Sequence, residues 1–354
     1  MTEASASSSY RRTTRWAALG VVLLAWALSA AVPERASAYY IYQCPGYSGG
    51  NPASPPSDCR ADPNQSPGTH QWIARQVPTI LQSDGRSGTA NLLRSPLGSS
   101  TYIERIVAGE ILADTGFNGC TAFGQANGWP IGDHMLNPYR GFGVLSYSGG
   151  LPMLGWQGYL YAKTSGRTFG GCATAPRVRT NSALMADEFF RRAQTHWGQG
   201  NRDAAMVNLG IAVHSLQDAS VPSHSHPEVL VDDLRVQAPG MGIIRGRDAY
   251  PAWVEVNKER MMVSSGGLYS PPSSINGVTI SNTPGGWVYW MAAASYPYFP
   301  WDSHWSAIPQ AQARCDVTNF PEACPNASSR IFRRAQAASA GFIEMFFRSV
   351  GAAS

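Results

Sequence analysis

Residues 181–197 and 201–218 read as two amphipathic helices in close succession, and no other feature of the chain narrows its fold as much. Asn181 and Asn201 stand at the two N-cap positions, where a short amide side chain can accept from the first free backbone N–H groups of a helix. Gly198-Gln199-Gly200 breaks the pattern between them.

The remaining periodicity is also helical. From Thr69 the sequence places Trp72, Ile73, Val77, Ile80 and Leu81 on one face, with Pro78 as the expected site of a kink. A short helix is expected over 101–112, another over 249–263, another over 285–296, and a last one over 327–349 with Ile331, Ala335, Phe342 and Phe346 in a buried stripe. Between Asp114 and Thr180 glycine and aromatic residues outnumber periodic apolar positions, which predicts long ordered loops. Only short strand pieces are expected, around 276–280. The aromatic run from Trp287 to Trp301 reads as core in preference to a lipid-contacting surface. The predicted fold class is mainly α, a single multi-helix domain over 70–354, preceded by an extended arm over 39–69 rich in Pro, Gly, Ser and Tyr.

Residues 1–38 read as a signal peptide: an arginine-bearing start, an apolar run from Trp16 to Val32, and the small-x-small site Ala36-Ser37-Ala38. No later stretch is long and apolar enough to predict a spanning helix, so the expectation is a secreted or periplasmic monomer. The six cysteines (44, 59, 120, 172, 315 and 324) all follow that site, where an oxidising compartment permits disulfides. Pairing of neighbours is the simplest of the possible connectivities, and the absence of C-x-x-C speaks against a cysteine metal site. Removing the signal changes 27 basic and 23 acidic residues to 23 and 21, a balance that predicts no nucleic-acid partner.

The histidines carry the chemistry. His214 and Asp218 lie four apart near the end of the second helix of the pair, so their side chains project from one face and can reach one ion. Pro222 ends that helix, and His224 and His226 follow in the turn. Imidazole and carboxylate together suit zinc.

The ordered set Asn201 to His214-Ser-Leu-Gln-Asp218 to Pro222-Ser-His224, with Gly68-Thr-His70 upstream and the helix 327–349 downstream, resembles the bacterial zinc-dependent phospholipases C. The resemblance implies that His70, His134, His214 and Asp218 bind metal, with Asp218 bridging two ions and His70 on the second. Asp114 is implied as a ligand or as the catalytic base, and His224 as part of a third site. Two or three zinc ions would then activate water and neutralise a phosphodiester oxygen and the leaving alkoxide. Two departures stand out. The family uses its mature N-terminal amine as a ligand, whereas here His70 follows the arm, and the family's His-x-x-x-Glu pair is missing from Arg247–Glu255. His226, Asp232, Asp233, Asp248 and Glu255 are the available substitutes.

The function so implied is a phospholipase C that cleaves phosphatidylcholine-like phospholipids at a membrane surface, with Trp156 and Tyr159 as candidate lipid contacts. The alternatives are a zinc phosphodiesterase acting like a single-strand nuclease, and a degenerate lipid- or surface-binding module that has lost its metals. His196 and His304 read as structural, and Asp133 as a carboxylate that orients His134.

Overall fold

The computed structural model describes residues 68–115, 136, 138, 144–145, 152–153, 181–225, 254, 258–263, 270–275, 278–298 and 325–353. All of them lie in the unit Ser37–Ser354. The signal and arm readings, the six cysteines, His134, His226, His304, Trp156 and Tyr159 lie outside the described residues, as does the side chain of Asp114.

Seven α-helices carry the described fold: α1 (Thr69–Ser83), α2 (Ser87–Arg94), α3 (Tyr102–Thr115), α4 (Ser182–Gly198), α5 (Arg202–Asp218), α6 (Pro284–Ser295) and α7 (Pro325–Ser349). The described strands are two-residue antiparallel pairs: β1 (Pro96–Leu97) with β2 (Ser100–Thr101), β3 (Val144–Leu145) with β4 (Pro152–Met153), and β5 (Ser274–Ile275) with β6 (Val278–Thr279). The fold is therefore mainly α, as the sequence predicts.

The α4–α5 pair forms where the sequence places it. Asn181 Oδ1 accepts from Leu184 N at 3.0 Å, and Asn201 Oδ1 accepts from Ala204 N at 3.3 Å, each satisfying a backbone donor that the first helical turn leaves without a partner. Gly200 turns the chain between them at φ 78°, a left-handed conformation that costs glycine no Cβ clash.

One expectation is corrected by the packing of α5. It was predicted to be amphipathic, yet every residue from Leu209 to Asp218 is buried, because α3, α4, α6 and α7 surround it. Small residues make this possible. Gly210 of α5 meets Gly109 of α3 so closely that a Cβ on Gly210 would stand 2.0 Å from the carbonyl oxygen of Ile106, and one on Gly109 would stand 2.1 Å from that of Val207. The helix backbones touch at this crossing, with no side chain between them.

α1 spans its predicted range and continues through Pro78 to Ser83, with Trp72, Ile73, Val77, Ile80 and Leu81 buried. It packs on α2, α3 and α7. Helix α2 is not among the expected helices: only Thr89, Ala90 and Leu93 are buried, too short an apolar pattern to mark it in the sequence. The helix expected over 249–263 is met only in part among the described residues: Val254 is helical, whereas Lys258–Met261 is a 3-10 turn, and Met262 and Val263 are not helical. Gln336 of α7 holds that end in place, donating to the Met261 carbonyl at 3.0 Å and accepting from Val263 N at 3.0 Å.

Trp287, Tyr289 and Trp290 of α6 are core residues, as expected, and α7 buries Ile331, Ala335, Phe342 and Phe346. Phe342 and Phe346 each meet Phe190 of α4 edge-on, with ring centroids 5.4 Å apart. Among the described residues no helix is long and apolar enough to cross a membrane.

Candidate metal centre

His70 is the second residue of α1, while His214 and Asp218 occupy the last turns of α5. The packing of α1 against the α3–α5–α7 assembly brings them together. Asp218 Oδ1 lies 3.4 Å from His70 Nε2, and Oδ2 lies 3.0 Å from His214 Nε2. The two imidazoles stack with centroids 4.1 Å apart and planes inclined by 26°. All three side chains are shielded from solvent, at 1% exposure or less.

Burial of this set has an electrostatic consequence. With both imidazoles neutral, the trio carries one negative charge where water cannot solvate it, and a buried carboxylate is tolerated only beside a cation or strong donors. A divalent cation among these donors would reverse the sign of the charge. One nitrogen or oxygen from each residue lies within 4.8 Å of the others, a spacing that can hold a metal ion. Tetrahedral zinc with bonds near 2.0–2.1 Å sets its ligand atoms about 3.3 Å apart. The 3.4 Å between Asp218 and His70 is close to that edge. The two carboxylate oxygens face different imidazoles.

A set of hydrogen bonds backs the trio. His70 Nδ1 lies 2.5 Å from Gln217 Oε1. Gln217 Nε2 donates to Glu110 Oε1 at 2.8 Å and to Ser339 Oγ at 3.3 Å. Gln217 and Glu110 belong to no metal-binding motif, and the signal for each in the sequence is a polar residue inside an apolar helix stretch, next to Asp218 in one case and within Ile-Val-Ala-Gly-Glu-Ile-Leu-Ala in the other. Arg75 of α1 clamps the neighbouring face through paired bonds of 2.8 Å to Glu104 of α3. That pairing raises the Arg75 pKa above its ordinary value; burial opposes the rise, and the charges of Glu104 and Glu110 reinforce it.

The other predicted residues are placed as follows. His224 is buried in the 3-10 turn Pro222–Ser225, just past the end of α5, and is not one of the three clustered donors. Its carbonyl accepts from Leu136 N at 3.2 Å, a direct bond from the segment two residues beyond His134. The turn is fixed by Ser225 Oγ, 2.9 Å from Ser295 Oγ of α6, which donates to the Ala219 carbonyl at 2.6 Å. Asp114 lies in the last turn of α3, four residues past Glu110. His196 lies in the last turn of α4, where its carbonyl accepts from Asn201 N at 2.9 Å.

No protein-family model matches this chain, and no curated protein matches it. Among solved structures it is similar to the alpha toxin from Clostridium absonum, at 16% identity and a TM-score of 0.48, over 80% of this chain and 63% of the toxin. It is also similar to the alpha-toxin of Clostridium perfringens isolated from the avian strain SWCP, at 16% identity and a TM-score of 0.47, with the same coverage. The matched region thus spans less than two thirds of either toxin chain.

Proposed function

We propose that this chain is an exported zinc metallohydrolase that cleaves phosphodiester bonds, acting as a phospholipase C on phosphatidylcholine-like lipids at a membrane surface. The observation that carries the reading is the buried trio in which one carboxylate faces two imidazoles. The sequence resemblance in the order His70, His134, His214, Asp218, His224 supports it further.

His70, His214 and Asp218 would hold the metal in the first part of the centre, with Asp218 as the shared ligand if two ions bind. His134 completes the set around His214. His224 belongs to a third position with partners from the segment that follows it. Bound zinc supplies Lewis acidity toward a phosphoryl oxygen and lowers the pKa of water. Asp114 would orient the attacking water and take its proton as the water oxygen bonds to phosphorus. The bond from phosphorus to the glycerol oxygen breaks, and the alkoxide leaves as diacylglycerol after gaining a proton. In this reading residues 1–38 are removed on export, 39–69 form an arm, and 70–354 form the catalytic domain.

The test is zinc per chain by elemental mass spectrometry for the wild type beside Asp218→Ala, followed by chelator-sensitive turnover of phosphatidylcholine and of single-stranded nucleic acid. Two or more equivalents that fall in the variant, with lipid turnover, support the proposal. Turnover of nucleic acid alone would move the substrate to the nuclease class. A folded wild type without zinc would leave a binding scaffold.

A further inference from the structure

We infer that Gln217 is a positioning residue of this centre, fixing His70 as the tautomer protonated on Nδ1 so that the Nε2 lone pair is presented on the Asp218 side. The inference rests on the reading of the trio as a metal site. Its first step is the orientation of the Gln217 amide. The nitrogen end faces Glu110 Oε1 at 2.8 Å and Ser339 Oγ at 3.3 Å. Glu110 Oε1 is the acceptor in its contact with Gln217, and the Ser339 hydroxyl spends its single hydrogen on the Ala335 carbonyl at 2.8 Å. Both neighbours therefore present lone pairs to Gln217. A flipped amide would set its oxygen against a carboxylate oxygen in a dry interior, where such a contact is severely unfavourable.

The oxygen end then has one direction left, toward His70 Nδ1 at 2.5 Å. A carbonyl oxygen only accepts, so Nδ1 must carry the hydrogen, and a neutral imidazole protonated there has its lone pair on Nε2. That atom is the one 3.4 Å from Asp218 Oδ1. Glu110, Gln217, Ser339 and His70 are all buried, so water does not compete for these bonds. The helices explain how the arrangement is held: Glu110 follows Gly109, and the side-chain-free crossing of Gly109 with Gly210 draws α3 against α5. Residues from α3, α5 and α7 thus converge on one nitrogen of α1. Met at 217 would fill the space without this directionality. Glu there would put a second carboxylate against Glu110.

The test has two independent readouts. The first is the tautomer of His70 in metal-free, 15N-histidine-labelled protein at a pH of about 8.5, where an ordinary imidazole is neutral. The second is zinc affinity by competition with a chelating dye. Wild type is expected to hold His70 protonated on Nδ1. Gln217→Met is expected to lose that preference and to bind zinc about 10- to 100-fold more weakly, the usual cost of removing a partner that orients a metal-binding imidazole. The near-isosteric Glu110→Gln is expected to weaken binding in the same direction but less, because Gln217 keeps Ser339. A wild-type His70 protonated on Nε2 overturns the inference even if Gln217→Met does not fold. Zinc binding and tautomer both unchanged in a folded Gln217→Met overturn it while leaving the metal reading intact. A wild type that binds no zinc, yet holds Nδ1–H and loses it in Gln217→Met, sinks the metal reading and supports the hold of Gln217 on His70.

Discussion

His214 Nε2 lies 3.0 Å from Oδ2 of Asp218, one helical turn further along α5, and both side chains are buried. A metal bound there stabilises the folded chain in proportion to its occupancy, because the unfolded chain does not hold these donors together. Zinc at a hundredfold excess over its dissociation constant should therefore add about 2.7 kcal/mol to the wild type. Asp218→Asn keeps the shape and removes the charge. Its thermal midpoint should not move when zinc is added, whereas that of the wild type should rise by several degrees. Equal shifts in the two proteins would place the stabilising ion elsewhere.

The Gly109–Gly210 crossing sets the distance between α3 and α5. A methyl group at position 210 would stand 2.0 Å from the backbone oxygen of Ile106, which cannot swing away as a flexible side chain could. Gly210→Ala should cost at least about 1–3 kcal/mol in urea unfolding, the range for overpacked interiors. Gly198→Ala is the matched control: a methyl there meets nothing within 4 Å, and alanine suits a helix better than glycine, so that change should be neutral or stabilising by up to about 1 kcal/mol. A tolerated Gly210→Ala would mean that the two helices can separate without loss.

How far the sequence discloses this protein depends on the range of the interaction. Asn181, Asn201 and Gly200 act within a turn of their own position, and the helices they bound lie where periodicity puts them. His214 and Asp218 are four apart on one helix, so their juxtaposition was local information as well. His70 comes to them across 144 and 148 residues, and only the resemblance to known phospholipases C suggested it. The contacts of Glu110 and Ser339 with Gln217 span 107 and 122 residues, and no spacing rule reaches that far. The burial of α5 from Leu209 to Asp218 was hidden for a related reason: Gly210, Ala212 and Ser215 carry little apolar signal until neighbouring helices are close enough to use their small size.

Arg75 and Glu104 join α1 to α3 with two bonds of 2.8 Å, the geometry in which an arginine pair is strongest. Both partners are partly exposed, which screens the attraction, so Arg75→Met should cost less than about 1 kcal/mol. The Arg75 pKa is raised, so its contribution is fully present below the unfolded value and is lost only in strong alkali. The cost of the substitution, measured by urea unfolding, should accordingly be the same at about pH 6 and about pH 9. A cost that changes between them would show that another titrating group depends on this pair.

Ser295 closes the end of α5 from the side of α6. Its hydroxyl has one hydrogen, and the shortest contact is the Ala219 carbonyl at 2.6 Å, so Ser225 Oγ at 2.9 Å must donate to Ser295 and not receive from it. Ser295→Ala removes both bonds at once and leaves a buried carbonyl and a buried hydroxyl without that partner, one residue past Asp218. The expected cost is about 1–3 kcal/mol. It should be measured on metal-free protein, since bound zinc would add its own stabilisation to both chains. Ser349→Ala, which removes a hydroxyl from an exposed residue at the far end of α7, should stay within about 0.5 kcal/mol of wild type. Equal effects at the two positions would mean that the Ser225–Ser295–Ala219 connection can be replaced by other contacts, and that the turn holding His224 is fixed by packing alone.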